Sequence, residues 1–136
     1  MPLVRIDLPA TTSSTESAAV SAAVHQSLLD VFNVPRDDLF QVLARRAPGE
    51  LVCTPSYLGI DHSDRVVFVQ VYCAPGRTVG MKEALYARIA QEIARTTTFA
   101  AADVIINLVE TARENWSFGN GVAHYALQDR QPPAAR

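Results

Sequence analysis

The sequence predicts a single α+β domain in which a β-α-β unit occurs twice and forms one four-stranded mixed sheet. Three observations predict this class. The chain has the length of one domain, 136 residues. The order strand, helix, strand occurs twice, and the two copies align at a near-constant offset of about 64 residues. A right-handed crossover inside each copy places both helices on the same face of the sheet. We assign residues 1–128 to this domain and residues 129–136 to a disordered tail.

The first copy starts almost at the N-terminus. In VRIDL, residues 4–8, apolar and charged side chains alternate with the period of two that is typical of a half-buried strand. A helix follows, because Ser13 and Glu16 have the spacing of a capping box and apolar residues then recur at helical intervals. These residues are Val20, Val24, Leu28 and Val31. Val34-Pro35 ends the helix, and residues 39–45 (LFQVLAR) are predicted as the second strand.

The second copy follows a stretch rich in proline and glycine, residues 47–64, with one short strand predicted around residues 56–60. RVVFVQVYC, residues 65–73, is a strand of almost continuous apolar character. The next helix has Met81, Leu85, Ile89 and Ile93 on one face. DVIINLVE, residues 103–110, follows as the second strand of this unit. Beyond these elements, we predict a short strand around residues 122–126.

The two helices cover only one face of this sheet. Residues such as Val4 and Leu43 are expected on the other face, where a monomer would expose them to water. Association with further copies of the chain would bury that face, so we predict a homo-oligomer.

Composition excludes several classes of function. The net charge is −2 and the arginines are scattered, so neither nucleic acid nor a membrane is an expected partner. No long apolar run is present, and a cytoplasmic protein is expected. Cys53 and Cys73 are predicted to be free thiols. The three histidines lack the spacing of metal ligands, and no phosphate-binding loop or nucleophile elbow occurs, so we predict no metal and no cofactor.

Pro2 raises a separate question, because it stands directly behind the initiator methionine and ahead of the first strand. A proline at the start of a strand can be without function, since its missing N–H is not needed there. Alternatively, the position has a chemical purpose. The residues around Pro2 do not decide between these interpretations.

Five segments together carry a family resemblance. They are Pro2-Leu3-Val4, residues 34–41 (VPRDDLFQ), residues 56–60 (SYLGI), Gly76-Arg77-Thr78 with Lys82, and residues 114–119 (ENWSFG). In this order and over residues 2 to about 126, the chain resembles the tautomerase superfamily, and within it the malonate semialdehyde decarboxylase-like group. The resemblance implies a homotrimer of tandem β-α-β units and a metal-free enzyme that acts on a small oxo acid carrying a carboxylate.

The resemblance also implies roles for individual residues. Removal of Met1 would turn the Pro2 nitrogen into a secondary amine, which can take or give a proton. Asp38 would orient a water molecule or assist the proline, although Asp37 or Asp38 could simply cap a turn. Arg77 would bind the substrate carboxylate with its planar fork, the alternative being a solvated side chain at a helix start. Trp116 and Phe118 would form an aromatic wall over the proline, and core packing explains them equally well.

One departure bears on the reaction. Some relatives carry Arg-Pro-Arg in the loop where this chain has Ala74-Pro75-Gly76-Arg77, so a second guanidinium is missing there. Arg45 or Arg46 could replace it, or both are surface charges. The missing guanidinium weakens the inference of decarboxylation but does not overturn the order that the resemblance implies. We expect malonate semialdehyde decarboxylation first, keto–enol tautomerisation of a phenylpyruvate-type acid second, and hydration of an acetylenic or haloacrylic acid third. A non-catalytic, ligand-binding trimer is the alternative of another class.

Overall fold

The structure, a computed structural model, describes residues 1–134 and has a mixed four-stranded sheet covered by helices on one face. The elements are β1 (Pro2–Pro9), α1 (Ser14–Phe32), β2 (Gln41–Arg46), β3 (Ser56–Tyr57), β4 (Ile60–Asp61), β5 (Val67–Cys73), α2 (Val79–Thr96), β6 (Val104–Glu110) and α3 (His124–Arg130). The order in the sheet is β2-β1-β5-β6. Within each β-α-β unit the strands are parallel, and β1 and β5 join the units in antiparallel fashion. The fold class expected from the internal repeat is confirmed.

The core lies between the sheet and the two long helices. Every second residue of β1 and β5 is buried. The alternation in residues 4–8 predicts this for β1, whereas β5 has an almost continuous apolar sequence and the structure shows which of its faces is buried. Helices α1 and α2 pack against each other on this face, and their apolar side chains fill the space above the central strands. The largest fully buried side chains include Ile6, Leu8, Leu28, Leu85, Ile89 and Ile93.

Both long helices begin with a side-chain cap. Ser13 accepts a hydrogen bond from the Glu16 N–H at 3.1 Å, and Thr78 accepts one from the Met81 N–H at 3.1 Å. Helix α1 ends at Asn33, whose backbone has the left-handed conformation with φ of 54°. The cap predicted at Ser13 is confirmed, and the second helix begins directly behind the candidate residue Arg77.

The prediction for the open face of the sheet is wrong in two residues. Val4 is only 1% exposed and lies in the core beneath the helices. Leu43 pairs with Ile6 and so also faces the helices, although at the edge strand it stays partly exposed. The strand register explains both positions. Gln41 pairs with Val4 and lies two residues before Leu43, so the three side chains share one face of the sheet. Gln41 donates to the Ser21 carbonyl of α1 at 3.1 Å, which identifies this face as the one that meets the helices. Apolar side chains do occur on the open face, but they are others: Val42, Phe68, Tyr72, Ile105 and Val109.

A small hairpin projects between the two halves. The single short strand predicted around residues 56–60 is two strands, β3 and β4, joined by a turn in which Leu58 and Gly59 both have positive φ, 51° and 78°. Tyr57, Leu58 and Ile60 remain largely exposed there. The hairpin therefore presents an apolar tip to the outside.

The C-terminal segment differs from the prediction of a strand at residues 122–126. After a reversal at Gly119 and Gly121, both at positive φ, the chain forms α3. The segment HYALQDR contains several good helix formers and ends in a cationic residue that suits a helix C-terminus. Asp129 and Arg130 belong to this helix, so the disordered-tail assignment is wrong for them, and residues 135 and 136 lie outside the described part. Within residues 1–134, every helix is too short or too polar to cross a bilayer.

Candidate active site

The sheet topology brings one end of all four strands together. β1 starts at Pro2, and its antiparallel neighbour β5 ends opposite it at Cys73. β2, parallel to β1, also starts at this end, directly after the segment that carries Asp38. β6, parallel to β5, ends here at Glu110. The N-terminus and the three loops that hold the candidate residues therefore meet at one edge of the sheet, which we call the site edge.

The N-terminal amine lies against Asp38. The Met1 nitrogen forms an ion pair with Asp38 Oδ2, and both side chains are shielded, with 3% and 17% exposure. A turn holds this carboxylate, since the Asp38 N–H donates to the Pro35 carbonyl at 3.0 Å. The Val4 N–H donates to the Phe40 carbonyl at 3.0 Å and fixes the following residues beside β1. Asp38 thus lies beside the amine, whereas Asp37 is exposed.

Two kinds of interaction act on the protonation of this amine. Burial lowers the pKa of the α-amino group from its ordinary value of 8.0, and the positive charges of Arg77 and Arg113 lower the pKa further. The Asp38 carboxylate opposes them, because contact with an anion favours the protonated form. Cys73, opposite Pro2, is itself buried, and desolvation raises the pKa of its thiol. A neutral thiol beside the amine leaves Asp38 as the anion in contact with it.

Arg77 lies at the site edge with its guanidinium free for an anion. Its Nη1 donates to the Ala74 carbonyl at 3.2 Å, and the guanidinium carbon lies 4.8 Å from the centre of the Phe32 ring. These contacts fix the side chain without neutralising it. No Asp or Glu oxygen of residues 1–134 lies within 4.0 Å of this guanidinium. A half-buried, unpaired arginine is suited to bind a carboxylate through two oxygens.

Aromatic side chains close the pocket on one side. We call Phe40, Trp116, Phe118 and Tyr125 the aromatic wall. Phe118 is its centre, stacked on Trp116 at 5.7 Å, tilted against Phe40 at 5.1 Å and edge-on to Tyr125 at 5.3 Å between ring centres. Trp116 Nε1 donates to Thr111 Oγ1 at 2.7 Å. A cavity of about 330 Å³ lies in front of the wall, lined by Asp38, Phe40, Phe118 and Tyr125 together with Pro35 and Asp37.

The structure adds residues that the sequence did not single out. Tyr125 belongs to α3, which was predicted as a strand, and its ring lines the cavity. Arg113 lies directly after β6, close enough to the amine to lower its pKa. Its only sequence signal is its place just before the segment ENWSFG. His124 accepts a hydrogen bond from the Phe118 N–H through Nδ1 at 3.3 Å.

The two other arginines considered for the site do not belong to it. Arg45 and Arg46 lie at the far end of β2, where Arg46 pairs with Asp7 at 2.7 Å and Arg45 binds Ser14 at 3.2 Å. In the described part of the chain, no three His, Cys, Asp or Glu side chains come together as metal ligands would. The groups that the site edge does gather are an amine, a carboxylate and a guanidinium. Together they can bind a carboxylate, hold a carbonyl group and move a proton.

Comparison with protein families gives two matches. Two family models, each described as tautomerase enzyme, match residues 38–119 and residues 2–67. Among curated proteins, the chain is 36% identical to the probable tautomerase YusQ of Bacillus subtilis, over 90% of this chain and 97% of that protein. It is 25% identical to the probable tautomerase YrdN of the same organism, over 92% of this chain and 96% of YrdN.

Solved structures give a closely related result. The chain is similar to a malonate semialdehyde decarboxylase inhibited by 3-bromopropiolate, with a TM-score of 0.87, 34% identity, and coverage of 96% of this chain and 99% of the other. A second malonate semialdehyde decarboxylase, described with decarboxylase and hydratase activities, has a TM-score of 0.86 and 31% identity over 93% and 98%. A fused 4-OT symmetric trimer, 19% identical over 91% and 98%, shares the fold with a TM-score of 0.74.

Proposed function

Since the chain belongs to the tautomerase superfamily and is an enzyme, we propose that it acts on small oxo acids through an amine at Pro2. The observation that carries this proposal is that the N-terminal amine contacts Asp38 and feels the charge of Arg77 at the site edge, beside a cavity lined by Asp38 and part of the aromatic wall. Arg77 binds the substrate carboxylate, Pro2 works on the carbonyl end, Asp38 adjusts Pro2 or a water molecule, and the wall excludes bulk solvent.

The proposal requires removal of Met1. While Met1 is attached, the Pro2 nitrogen is an amide and cannot take up a proton under ordinary conditions. Consecutive residues are only about 3.8 Å apart along the chain, so trimming moves the amine one residue inward along β1 and keeps it at the site edge. Because Pro2 is buried, the new amine loses solvation as the present one does. Intact-mass measurement on the purified protein checks this step first.

Malonate semialdehyde decarboxylation is the reaction that we favour. By an iminium route, Pro2 condenses with the aldehyde and releases water, the iminium nitrogen takes up the electron pair of the breaking C–C bond to give an enamine, and protonation on carbon followed by hydrolysis returns acetaldehyde and free Pro2. Without an iminium, Arg77 holds the carboxylate and a protonated Pro2 stabilises the charge that develops on the carbonyl oxygen when the C–C bond breaks. Carbon dioxide leaves, the enolate takes up a proton on carbon, and acetaldehyde is released. The two decarboxylase structures, which exceed 30% identity over nearly the whole chain, support this choice.

Keto–enol tautomerisation is the second candidate, and a specific observation favours it. Burial and two arginines lower the pKa of the amine, and a neutral secondary amine can act as a base that moves a proton between carbon and oxygen. YusQ and YrdN are both named probable tautomerases. The protonation state of Pro2 therefore separates the two reactions: a cation suits decarboxylation and a free base suits tautomerisation.

The decisive experiment combines kinetics with titration. Purified enzyme without Met1 is assayed with malonate semialdehyde, with phenylenolpyruvate and with an acetylenic acid for hydration. Nitrogen-15 NMR of proline-labelled protein then gives the pKa of Pro2. We expect carbon dioxide and acetaldehyde from the first substrate, with a Pro2 cation persisting above neutral pH. Rapid ketonisation of the enol and an amine neutral at pH 7 would establish tautomerase chemistry instead. Absence of turnover with all three acids would favour a non-catalytic binding protein.

We also propose that the enzyme is a homotrimer. The open face of the sheet carries apolar side chains and a cavity of about 390 Å³ lined in part by Val52, Phe68 and Ile105, and the β3–β4 hairpin projects an apolar tip. Neighbouring copies would cover both surfaces. The fused 4-OT structures, themselves described as trimers, share the fold. Sedimentation equilibrium should give three times the chain mass, and Leu58→Ser should weaken assembly. A monomer at micromolar concentration would contradict this proposal.

We propose the cytoplasm as the location of the enzyme. The free thiols Cys53 and Cys73 agree with this reducing compartment.

A further inference from the structure

Arg113 joins the short turn after β6 to helix α3. Its Nε donates to both oxygens of Asp129 at 3.2 and 3.1 Å, and Nη2 donates to Asp129 Oδ1 at 3.1 Å. The same guanidinium lies over the Tyr125 ring, with its carbon 4.3 Å from the ring centre. Asp129 and Tyr125 are one turn apart on α3, so a single side chain contacts both turns of this short helix.

Helix α3 has few other means of staying in place. It has seven residues and none of them is buried. A helix of this length is not stable without tertiary contacts. Besides Arg113, the polar side-chain contact that ties it to the preceding segment is the one between the Phe118 N–H and His124 Nδ1 at 3.3 Å. The position of Tyr125 therefore depends on a small number of contacts, and Arg113 makes two of them.

We propose that Arg113 is a positioning residue of the active site: paired with Asp129 and stacked on Tyr125, it holds α3 so that the Tyr125 ring completes the aromatic wall. This inference rests on the proposed function for its kinetic part. The link to the site is direct, because the Tyr125 ring meets Phe118 edge-on at 5.3 Å and both rings line the cavity that contains Asp38.

Arg113 holds the wall and does not serve as a second carboxylate anchor. Its charge is matched by Asp129, whereas the guanidinium of Arg77 has no carboxylate partner among the described residues. Arg113 therefore does not replace the arginine that the loop Ala74–Arg77 lacks. It still contributes to the field at the amine, whose pKa its charge lowers. Loss of the guanidinium consequently has a second effect, a rise in the pKa of the amine, that loss of Asp129 does not share.

The test uses Trp116, which is the only tryptophan of the chain and stands in the aromatic wall. Acrylamide quenching of its fluorescence, measured without substrate, reports how well the wall is closed. Arg113→Ala and Asp129→Asn should each raise the quenching constant and lower kcat/KM for the oxo acid about tenfold, the size expected from an ion pair and a cation–π contact. The double variant should be no worse than the single variants.

The matched control is Arg95→Ala. Arg95 makes a similar ion pair with Glu92, at 2.6 Å, on an exposed stretch of α2. It should leave quenching and kinetics unchanged. Asp129 is itself half exposed, so Asp129→Asn tests the proposal even where Arg113→Ala is poorly folded. Arg113→Lys, which keeps the charge but loses the fork, should give an intermediate result.

Quenching and kcat/KM equal to the parent enzyme in both Arg113→Ala and Asp129→Asn would overturn the proposal, and so would fully additive losses in the double variant. The fluorescence result does not depend on the substrate. Increased quenching in an enzyme that turns over none of the oxo acids would refute the proposed function and uphold the role of Arg113 in holding the wall.

Discussion

Replacement of Arg77 by alanine tests how the site recognises its substrate. The guanidinium has no carboxylate partner among residues 1–134 and is held by the Ala74 carbonyl and the Phe32 ring. The side chain thus contributes little to folding compared with what it offers an anion. We expect Arg77→Ala to fold normally and to lose most of its activity toward acids.

The magnitude follows from the contacts that would be lost. A charge-assisted hydrogen-bonded contact contributes about 1.5–3 kcal/mol, which corresponds to a fall in kcat/KM of about 10- to 150-fold. Stability loses one hydrogen bond of 3.2 Å at a half-buried site and one cation–π contact, together about 1–2 kcal/mol. The pKa of the amine should rise, because one of the two cations that lower it has been removed.

Kinetics of ketonisation with phenylenolpyruvate and with its methyl ester separate anchoring from general effects, because this reaction leaves the carboxylate intact and the ester can still react. The methyl ester of malonate semialdehyde could not serve, since it has no carboxylate to lose as carbon dioxide. The ester has no negative charge, so Arg77→Ala should reduce the preference for acid over ester by the same factor as kcat/KM for the acid. Lys82→Ala is the matched control, since Lys82 lies on the first turn of α2 but is already paired with Glu110 at 2.7 Å. It should keep the preference for the acid.

Two results would refute the anchoring role. In the first, kcat/KM of Arg77→Ala for the acid stays within threefold of the parent enzyme. In the second, acid and ester lose activity equally, which would mean that the variant has disturbed the amine or the wall and not the binding of the carboxylate. Because the amine pKa is expected to rise in Arg77→Ala whether or not the anchoring role is right, acid and ester are compared at the pH optimum of each enzyme, which removes that common effect.

Three further predictions concern stability. Hydrogen bonds from Thr98 lower the pKa of Glu16 from its ordinary value of 4.5, so its stabilising effect is present at neutral pH and is lost as the pH falls through the lowered pKa; Glu16→Gln should lower Tm at pH 7, and the difference should shrink below pH 4.5 and vanish below the lowered pKa. Asp103→Ala should cost about 1–3 kcal/mol in urea unfolding, because it removes the buried acceptor of the Ser63 N–H and hydroxyl; a change below 0.5 kcal/mol would contradict this. Ile89→Ala should cost about 2–5 kcal/mol, whereas the exposed Val79→Ala should cost little.

The sequence contains enough information for the sheet and the two long helices, because periodicity and caps agree with each other there. The alternation in residues 4–8 and the helical spacing of Leu85, Ile89 and Ile93 each report one buried face directly. Alternation does not tell which face of an edge strand meets the helices when both faces carry apolar residues, and this is why Leu43 was placed on the wrong side. Helix α3 was missed for a related reason: none of its residues is buried, so it has no apolar period.

For the site, the outcome depends on distance along the chain. Pro2, Asp38, Arg77, Trp116 and Phe118 could be named because each belongs to a recognisable local segment. Arg113 and Tyr125 can be assigned to the site only from the contact between their side chains, which are twelve positions apart in the sequence. No local pattern encodes that contact. The positions that complete the pocket are therefore those that sequence reasoning could not find.

The internal repeat explains why we place the proposed chemistry at one end of the sheet and not at the other. The repeat aligns Asp38, just before β2, with Asp103, just before β6, and the antiparallel pairing of β1 with β5 puts these two aspartates at opposite ends of the sheet. At the end of the sheet where Asp103 lies, the strand equivalent to β1 is β5. It begins at Val67, in the middle of the chain, where the backbone nitrogen is part of an amide and not an amine. Asp103 is accordingly buried, 4% exposed, and accepts hydrogen bonds from Ser63. Asp38 instead contacts the N-terminal amine, the group on which the proposed chemistry depends. The two similar halves thus differ in the partner of the repeated aspartate, an amine for Asp38 and Ser63 for Asp103, and the proposed chemistry needs the amine.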